Sequence, residues 1–295
     1  MRYFIQGLLA MLVISLSTIV ISVVVLLLVI PKLLAPTDAA RNMVARFSST
    51  VGELWIGINK FVISRYRGMK WDLELPAGLD RSGRYLVLCN HQSWVDILVL
   101  QSCLNRRAPF MRFMLKQQLI WVPFIGLAWW ALDFPFLRRY SREELLKNPA
   151  LREKDLRNAA RACEKLKHIP VSMMSFPEGT RFTPAKHDAQ NSPYSHLLRP
   201  RYGGLGQVLF SFGDGLQEVI DVTINYPDGI PTFWQFISGQ VRRISVDAKL
   251  RTIDPDLRGV DFRNHPKSRA RLKQWVNRLW EEKDQHLERA CVSER

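Results

Sequence analysis

Cysteine is scarce in this chain of 295 residues, and its four copies stand apart. Cys89, Cys103, Cys163 and Cys291 show no C-x-x-C spacing, so neither a zinc site nor a disulfide framework is indicated. Cys89 and Cys163 read as small core residues, which fits a reducing compartment. Acidic residues are also few, 27 Asp and Glu against 42 Lys and Arg, leaving a formal charge of +15. Such an imbalance calls for an anionic partner: nucleic acid, anionic lipid or a phosphorylated substrate. The cations are spread along the chain rather than gathered in a run, and there is no internal repeat. The length suits one large α/β domain with an appendage.

Charge is absent altogether from residues 8–30, where Ser15, Ser17, Thr18 and Ser22 interrupt mostly Leu, Ile and Val. That run is long enough to cross a bilayer core. A cleaved signal peptide has a shorter apolar region followed by small residues. Here Pro31-Lys32 follows, which favours a retained anchor over residues 1–35. The basic residues downstream (Lys32, Arg41, Arg46, Lys60, Arg65, Arg67, Lys70) outnumber Arg2 and the free amine. The bulk of the chain is therefore expected on the cytoplasmic side. Residues 39–65 place Val44, Phe47, Val51, Leu54, Trp55, Ile58 and Phe61-Val62 at helical spacing. Within a segment 36–68, this helix can lie in the membrane interface or pack on the domain.

The rest, 69–295, reads as one domain. Strands are expected at 71–75, 85–89, 171–176, 218–226 and 241–250, and helices at 155–167, 205–212 and 269–287. The polar stretch 183–200 reads as a surface loop. Alternating strands and helices predict an α/β fold with the sheet covered on both faces.

Two stretches carry chemistry. In the first, YLVLCNHQSWVD, an apolar strand ends at Asn90-His91, and Asp96 follows five residues after the histidine. A carboxylate one helical turn on can hold one ring nitrogen protonated and leave the other free to take a proton from a hydroxyl. No serine or cysteine in a nucleophile setting lies between them, so such a histidine would activate the substrate itself. The same spacing also suits a purely structural pair. In the second stretch, Phe176-Pro177-Glu178-Gly179-Thr180-Arg181, a strand runs into a tight turn. There Arg181 can offer its planar fork to a phosphate, or can be an ordinary solvated arginine.

The two stretches in this order and separation resemble the PlsC-type glycerolipid acyltransferases, which include the 1-acylglycerol-3-phosphate acyltransferases. Lys116 followed by Trp121-Val122-Pro123-Phe124-Ile125-Gly126 is similar to the family's K…IPFxG block, and Phe136-Leu137-Arg138-Arg139 to its apolar pair and arginine. The likeness spans about 71–226. The extended EGTRFTxxKH form, 178–187, with LRPRYGG behind it, resembles a subgroup of enterobacterial inner-membrane paralogues and eukaryotic lysophospholipid acyltransferases.

This resemblance implies a mixed sheet flanked by helices. In chemistry it implies that His91 deprotonates a lysophospholipid hydroxyl, which attacks the thioester of acyl-CoA or acyl-carrier protein, and that Asp96 orients His91. It implies substrate binding by Glu178, Gly179, Thr180 and Arg181, with Arg139 and Lys116 as further phosphate contacts. No metal and no cofactor is implied beyond the acyl donor as co-substrate; the partners are the lysophospholipid and the bilayer, without nucleic acid. The implied location is the bacterial cytoplasmic membrane, with the catalytic domain facing the cytoplasm.

Two positions depart from the family pattern. The fourth block reads EVIDVTINY without its usual Val-Pro pair, and Asp133 stands where commoner bacterial members have glycine. His187 and His196 read as surface groups, although Lys186-His187 matches the subgroup. Trp121, Trp129 and Trp130 are either core or membrane-facing. Two rival classes remain: a hydrolase using His91, Asp96 and Glu178 as metal ligands, and a non-catalytic module for anionic lipid.

Overall fold

The computed structural model describes residues 1–65, 68–137, 144, 147–148, 157, 160–161, 163–262 and 264–293. A six-stranded sheet forms its centre: β1 (Lys70–Glu74), β2 (Arg84–Cys89), β3 (Met111–Phe113), β6 (Val171–Ser175), β7 (Glu218–Asn225) and β8 (Arg243–Thr252). Two further two-residue strands, β4 (Leu115–Lys116) and β5 (Phe136–Leu137), pair with each other. The order across the large sheet is β1-β8-β7-β2-β6-β3. β3, β6, β2 and β7 run parallel to one another, whereas β8 is antiparallel to β7. The C-terminal ends of those four strands therefore meet at one edge, the usual place for a site in an open α/β sheet. β2 is central and covered on both faces, which is why Tyr85 to Cys89 form an unbroken apolar run, all buried, instead of alternating.

One face of the sheet carries α7 (Gly203–Phe212) and α9 (Pro266–Ser293). Their Leu205, Leu209, Leu272, Val276 and Trp280 pack on Leu86, Leu88, Val171 and Val219. The other face carries α4 (Val95–Leu104) and α8 (Phe233–Ile237), with Val99, Leu100, Phe236 and Ile237 against Val87, Ile220 and Val222. Burying each such side chain contributes about 1.5–3 kcal/mol, so the two layers hold the sheet in place. The mixed α/β fold thus stands as expected, with strand bounds shifted by a few residues. Short elements carry too little periodicity to be read in advance: β3, β4, β5, α5 (Ile125–Ala131) and α6 (Pro184–Ala189). The stretch 183–200 is not a plain surface loop. It holds α6, and Leu197 and Leu198 are fully buried. Within the helix expected over 155–167, the described residues 157, 160–161 and 163–166 are helical, and Cys163 and Leu166 are buried in the core as anticipated.

The N-terminal segment forms α1 (Arg2–Leu27), α2 (Val29–Leu34) and α3 (Asp38–Ser64). Together Arg2–Leu34 is long and apolar enough to cross a membrane, and little of it is covered by protein. It does not stand clear of the domain. Near its start Phe4 meets Trp234 of α8, ring centroids 6.0 Å apart, and Ala10 is buried in the core of that face. Near its end Val25 packs with Ala131, Leu132 and Phe134, and Lys32 forms an ion pair with Asp133. α3 packs on the same unit, with Trp55 Nε1 donating to Thr18 Oγ1 at 3.0 Å. Its outward stripe of Phe47, Leu54 and Phe61 stays exposed. α3 is thus both docked and outward-facing, because its apolar arc is wider than the surface it covers.

The block after β4 folds back sharply. A Cβ on Gly126 would lie 2.3 Å from the Ile120 carbonyl oxygen, so only glycine fits there. This turn leaves Trp121 84% exposed and Phe124, Leu127 and Trp130 also outward, while Trp129 tucks against Phe113 and Phe134. Asp133 adopts φ +60°, a left-handed conformation that favours glycine, and there it reaches Lys32.

Candidate active site

His91 leaves β2 at the C-terminal edge of the sheet, and Asp96 occupies the first turn of α4. Asn90 fixes the exit: its side chain donates to the Ile224 carbonyl and accepts from the Ile224 amide, both at 2.9 Å, tying β2 to β7 beyond their ladder. His91 Nδ1 lies 2.9 Å from Asp96 Oδ2. The same oxygen accepts from the backbone N–H groups of Gln92 and Ser93 at 2.6 and 2.9 Å. The second oxygen, Oδ1, accepts from the Tyr226 hydroxyl at 2.6 Å. Asp96 is fully buried. Burying a carboxylate costs several kcal/mol, and hydrogen bonds to a charged acceptor return about 1.5–3 kcal/mol each. Four of them offset that cost. Burial, and then the charge of Asp96, push the Tyr226 hydroxyl well above its ordinary value, so it remains a donor.

With Nδ1 facing a carboxylate, its proton is held there and Nε2 is left as the acceptor. The ring is clamped from its face by Phe176, centroids 3.9 Å apart and planes within 10°. Its side chain keeps 14% exposure, enough to meet a substrate atom.

The turn after β6 presses against this histidine. Glu178 is fully buried, and its two oxygens accept from the backbone N–H groups of His91 (2.8 Å) and Leu198 (3.1 Å). Burial pushes its carboxyl up to about 8, against the pull of those two amides. Glu178 therefore joins the β2 exit to the 198–201 segment. Gly179 takes φ +70°, as the tight turn requires. Thr180 Oγ1 and the Arg181 carbonyl both accept from Lys186 Nζ, at 2.9 and 3.0 Å, so Thr180 serves the loop. The Arg181 guanidinium lies 4.8 Å over the ring of the exposed Trp94.

The structure thus brings together His91, Asp96, Glu178, Gly179, Thr180 and Arg181 from two stretches 87 residues apart. Lys116 stands exposed in β4, beyond the C-terminal end of β3 and so at the same edge, without contact to the others among the described residues. Arg139 lies outside the described residues. His187 and His196 are engaged elsewhere, with the Tyr194 carbonyl at 2.7 Å and Glu288 at 2.8 Å. Sequence reasoning passed over Tyr226, Phe176 as a ring clamp, Asn90 as a strand tie and Trp94. Tyr226 closes the fourth block, and it meets Asp96 only because β7 pairs in parallel with β2.

Hydroxyl activation needs a base with one free nitrogen, which His91 offers, and the Arg181 guanidinium stands at the same edge. A metal site does not fit as well: both Glu178 oxygens are taken by amides, and no His, Cys, Asp or Glu trio among the described residues could hold an ion.

Residues 72–226 match the family model described as Acyltransferase. Relatives include lysocardiolipin acyltransferase 1 of Gallus gallus, 25% identical over 219 residues, covering 70% of this chain and 53% of that protein. The 2-acyl-1-lysophosphatidylinositol acyltransferase of Saccharomyces cerevisiae is 22% identical over 242 residues, 69% of this chain and 60% of that one. The 1-acyl-sn-glycerol-3-phosphate acyltransferase delta of Mus musculus is 25% identical over 212 residues, 68% and 51% respectively. The chain spans about half the length of the curated relatives it matches. In fold it is similar to the crystal structure of the 1-acyl-sn-glycerophosphate acyltransferase PlsC of Thermotoga maritima. That match has a TM-score of 0.53 and 19% identity, over 95% of this chain and 98% of that one.

Proposed function

The chain belongs to the acyltransferase family, and on that premise we propose that it transfers a fatty acyl group from acyl-CoA or acyl-carrier protein to the free hydroxyl of 1-acylglycerol-3-phosphate, giving phosphatidic acid in phospholipid synthesis. The observation that carries this reading is the His91–Asp96 pair, bonded at 2.9 Å and opening Nε2 beside a turn that presents Arg181. Nε2 takes the hydroxyl proton as the oxygen attacks the thioester carbonyl. The C–S bond then breaks, and the thiolate recovers the proton from the imidazolium. Neither metal nor covalent acyl-enzyme is required, since a thioester is already activated; the donor is a co-substrate rather than a resident cofactor. Arg181, with Lys116 and Arg139 as outer contacts, holds the acceptor phosphate.

The acceptor's acyl tail stays in the leaflet, so the site must face lipid. From Phe4 to Lys32 the N-terminal helices run about 42 Å at 1.5 Å per residue, touching the domain at both ends. A helical segment held to a domain at both ends is better suited to lying in one leaflet than to standing across the bilayer. Its bare face, the Phe47–Leu54–Phe61 stripe and the exposed Trp121 and Trp130 then form the lipid-facing surface. The placement is a bacterial cytoplasmic membrane with the domain on the cytoplasmic side, in keeping with the charge of +15. The EGTRFTxxKH pattern supports membership of the inner-membrane paralogue subgroup.

A second reading, remodelling of lysophospholipids that bear a head group, is favoured by the relatives described as acting on lysocardiolipin and lysophosphatidylinositol. One experiment addresses both. The full chain in nanodiscs is given acyl-CoA and a panel of lysophospholipids, and thiol release is followed for wild type and His91→Ala. Release with lysophosphatidic acid, lost in the variant, supports the first reading; release with head-group acceptors alone supports the second. No release with acyl-CoA or acyl-carrier protein overturns the enzyme reading and leaves a lipid-binding module, whereas full activity of His91→Ala overturns the general-base mechanism alone.

A further inference from the structure

Arg201 belongs to the LRPRYGG stretch and takes no part in the proton transfer. We infer that Arg201 is a second phosphate-binding arginine, which opposes Arg181 across the Pro177–Thr180 turn and selects acceptors carrying a phosphomonoester. The inference rests on the acyl-transfer reading.

The backbone of Arg201 is pinned to the turn, its N–H donating to the Pro177 carbonyl at 2.7 Å. Its side chain then lies across Gly179. A Cβ built on that glycine would stand 3.2 Å from Arg201 Cδ and 3.7 Å from Nη1. Gly179 thus meets two demands, a left-handed turn and a passage for this arginine. The guanidinium is exposed, and its N–H groups have no carboxylate or carbonyl partner among the described residues. Arg199, two residues before it, is by contrast spent on the Asn191 carbonyl. Arg181 is the other arginine of the turn without a hydrogen-bonded partner, stacked over Trp94.

Arg201 on Gly179 and Arg181 over Trp94 belong to the same turn region, and two such forks suit a dianionic phosphate, whose three terminal oxygens can take parallel N–H pairs from both. A phosphodiester offers two terminal oxygens and one charge, and so gains less from the second fork. Glu178, in the same turn, bonds the His91 backbone at 2.8 Å, which ties this turn to the segment that carries the base.

The phosphates of the acyl donor carry the same chemistry, and the experiment separates the two sources. Initial rates are measured for the full chain in nanodiscs as wild type, Arg201→Ala and Arg201→Lys, varying acceptor and donor in turn. The expected result for Arg201→Ala is an acceptor KM for lysophosphatidic acid raised about tenfold or more, kcat within about threefold, and donor KM unchanged. Arg201→Lys recovers part of the loss, since it restores charge without the fork. With lysophosphatidylglycerol the KM change shrinks severalfold. A rise in acyl-CoA KM alone, abolished with a dephospho-CoA thioester, assigns Arg201 to the donor and overturns the proposal. Unchanged KM values, or equal loss with both acceptors, also overturn it. Binding of short-chain lysophosphatidic acid by His91→Ala and by His91→Ala/Arg201→Ala needs no turnover: weaker binding in the second supports the clamp even if acyl transfer itself is disproved, and equal binding overturns it.

Discussion

The two halves of the site are built on opposite principles. Around Asp96 every oxygen is bonded, the carboxylate itself is fully buried, and its partners are buried or half-buried. At the Arg181 and Arg201 rim the guanidinium groups have no hydrogen-bonded partner among the described residues, Arg181 half-buried over Trp94 and Arg201 exposed. A group that must hold another in one orientation gains from low dielectric and a full set of partners. A group that must receive a charged ligand gains from having no partner to give up. The contrast teaches that burial in this protein marks positioning, and exposure marks reception.

The sharpest way to break the contrast is to empty its closed half. Asp96→Ala leaves three donors without their acceptor and frees the His91 ring. The expected loss in kcat is roughly 10²–10⁴-fold, with acceptor KM little changed, read by thiol release from protein that still enters nanodiscs. An equal loss in KM would place Asp96 on the receiving side instead.

Glu178 tests whether the closed half extends into the turn. It binds its proton more tightly in the folded chain, at about 8 against the ordinary 4.5, so its contribution to stability declines as pH rises through that window. Glu178→Gln keeps one acceptor oxygen but points an amide at the other backbone N–H. It should lose about 1–3 kcal/mol and flatten the decline between those two pH values, as followed by thermal unfolding in detergent. A slope unaltered by the substitution would assign the pH dependence to other groups.

Tyr226→Phe is the finest probe. It keeps the ring and removes one donor from Asp96 Oδ1. The expected effect is a fall of about tenfold in kcat, the worth of one hydrogen bond to a charged group, with both KM values and the melting temperature nearly unchanged. A change confined to KM would move Tyr226 out of the closed shell.

Much of the fold was legible because its signals are local. The unbroken apolar run at 85–89 reports a strand covered on both faces, and the face of α9 with Leu272, Val276 and Leu279 reports an amphipathic helix. His91, Asp96, Glu178 and Arg181 were legible for the same reason, as residue types at short spacings. The 183–200 stretch was misjudged because its polarity hides two buried leucines, and a two-residue strand such as β4 has no period to detect. The N-terminal helix was recognised by composition, but composition says nothing of the Asp133 carboxylate that receives Lys32 a hundred residues downstream.

The sequence by itself determined which side chains could do chemistry here, and the general layering that would carry them. The tertiary structure decided which of them meet. Tyr226 reaches Asp96 over 130 residues, Leu198 reaches Glu178, and Arg201 lies on Gly179, because four parallel strands deliver their C-terminal ends to one edge. Spacing along a chain fixes neighbours within a turn of helix, whereas partners across a sheet are set by strand order and register, which no short stretch of residues encodes.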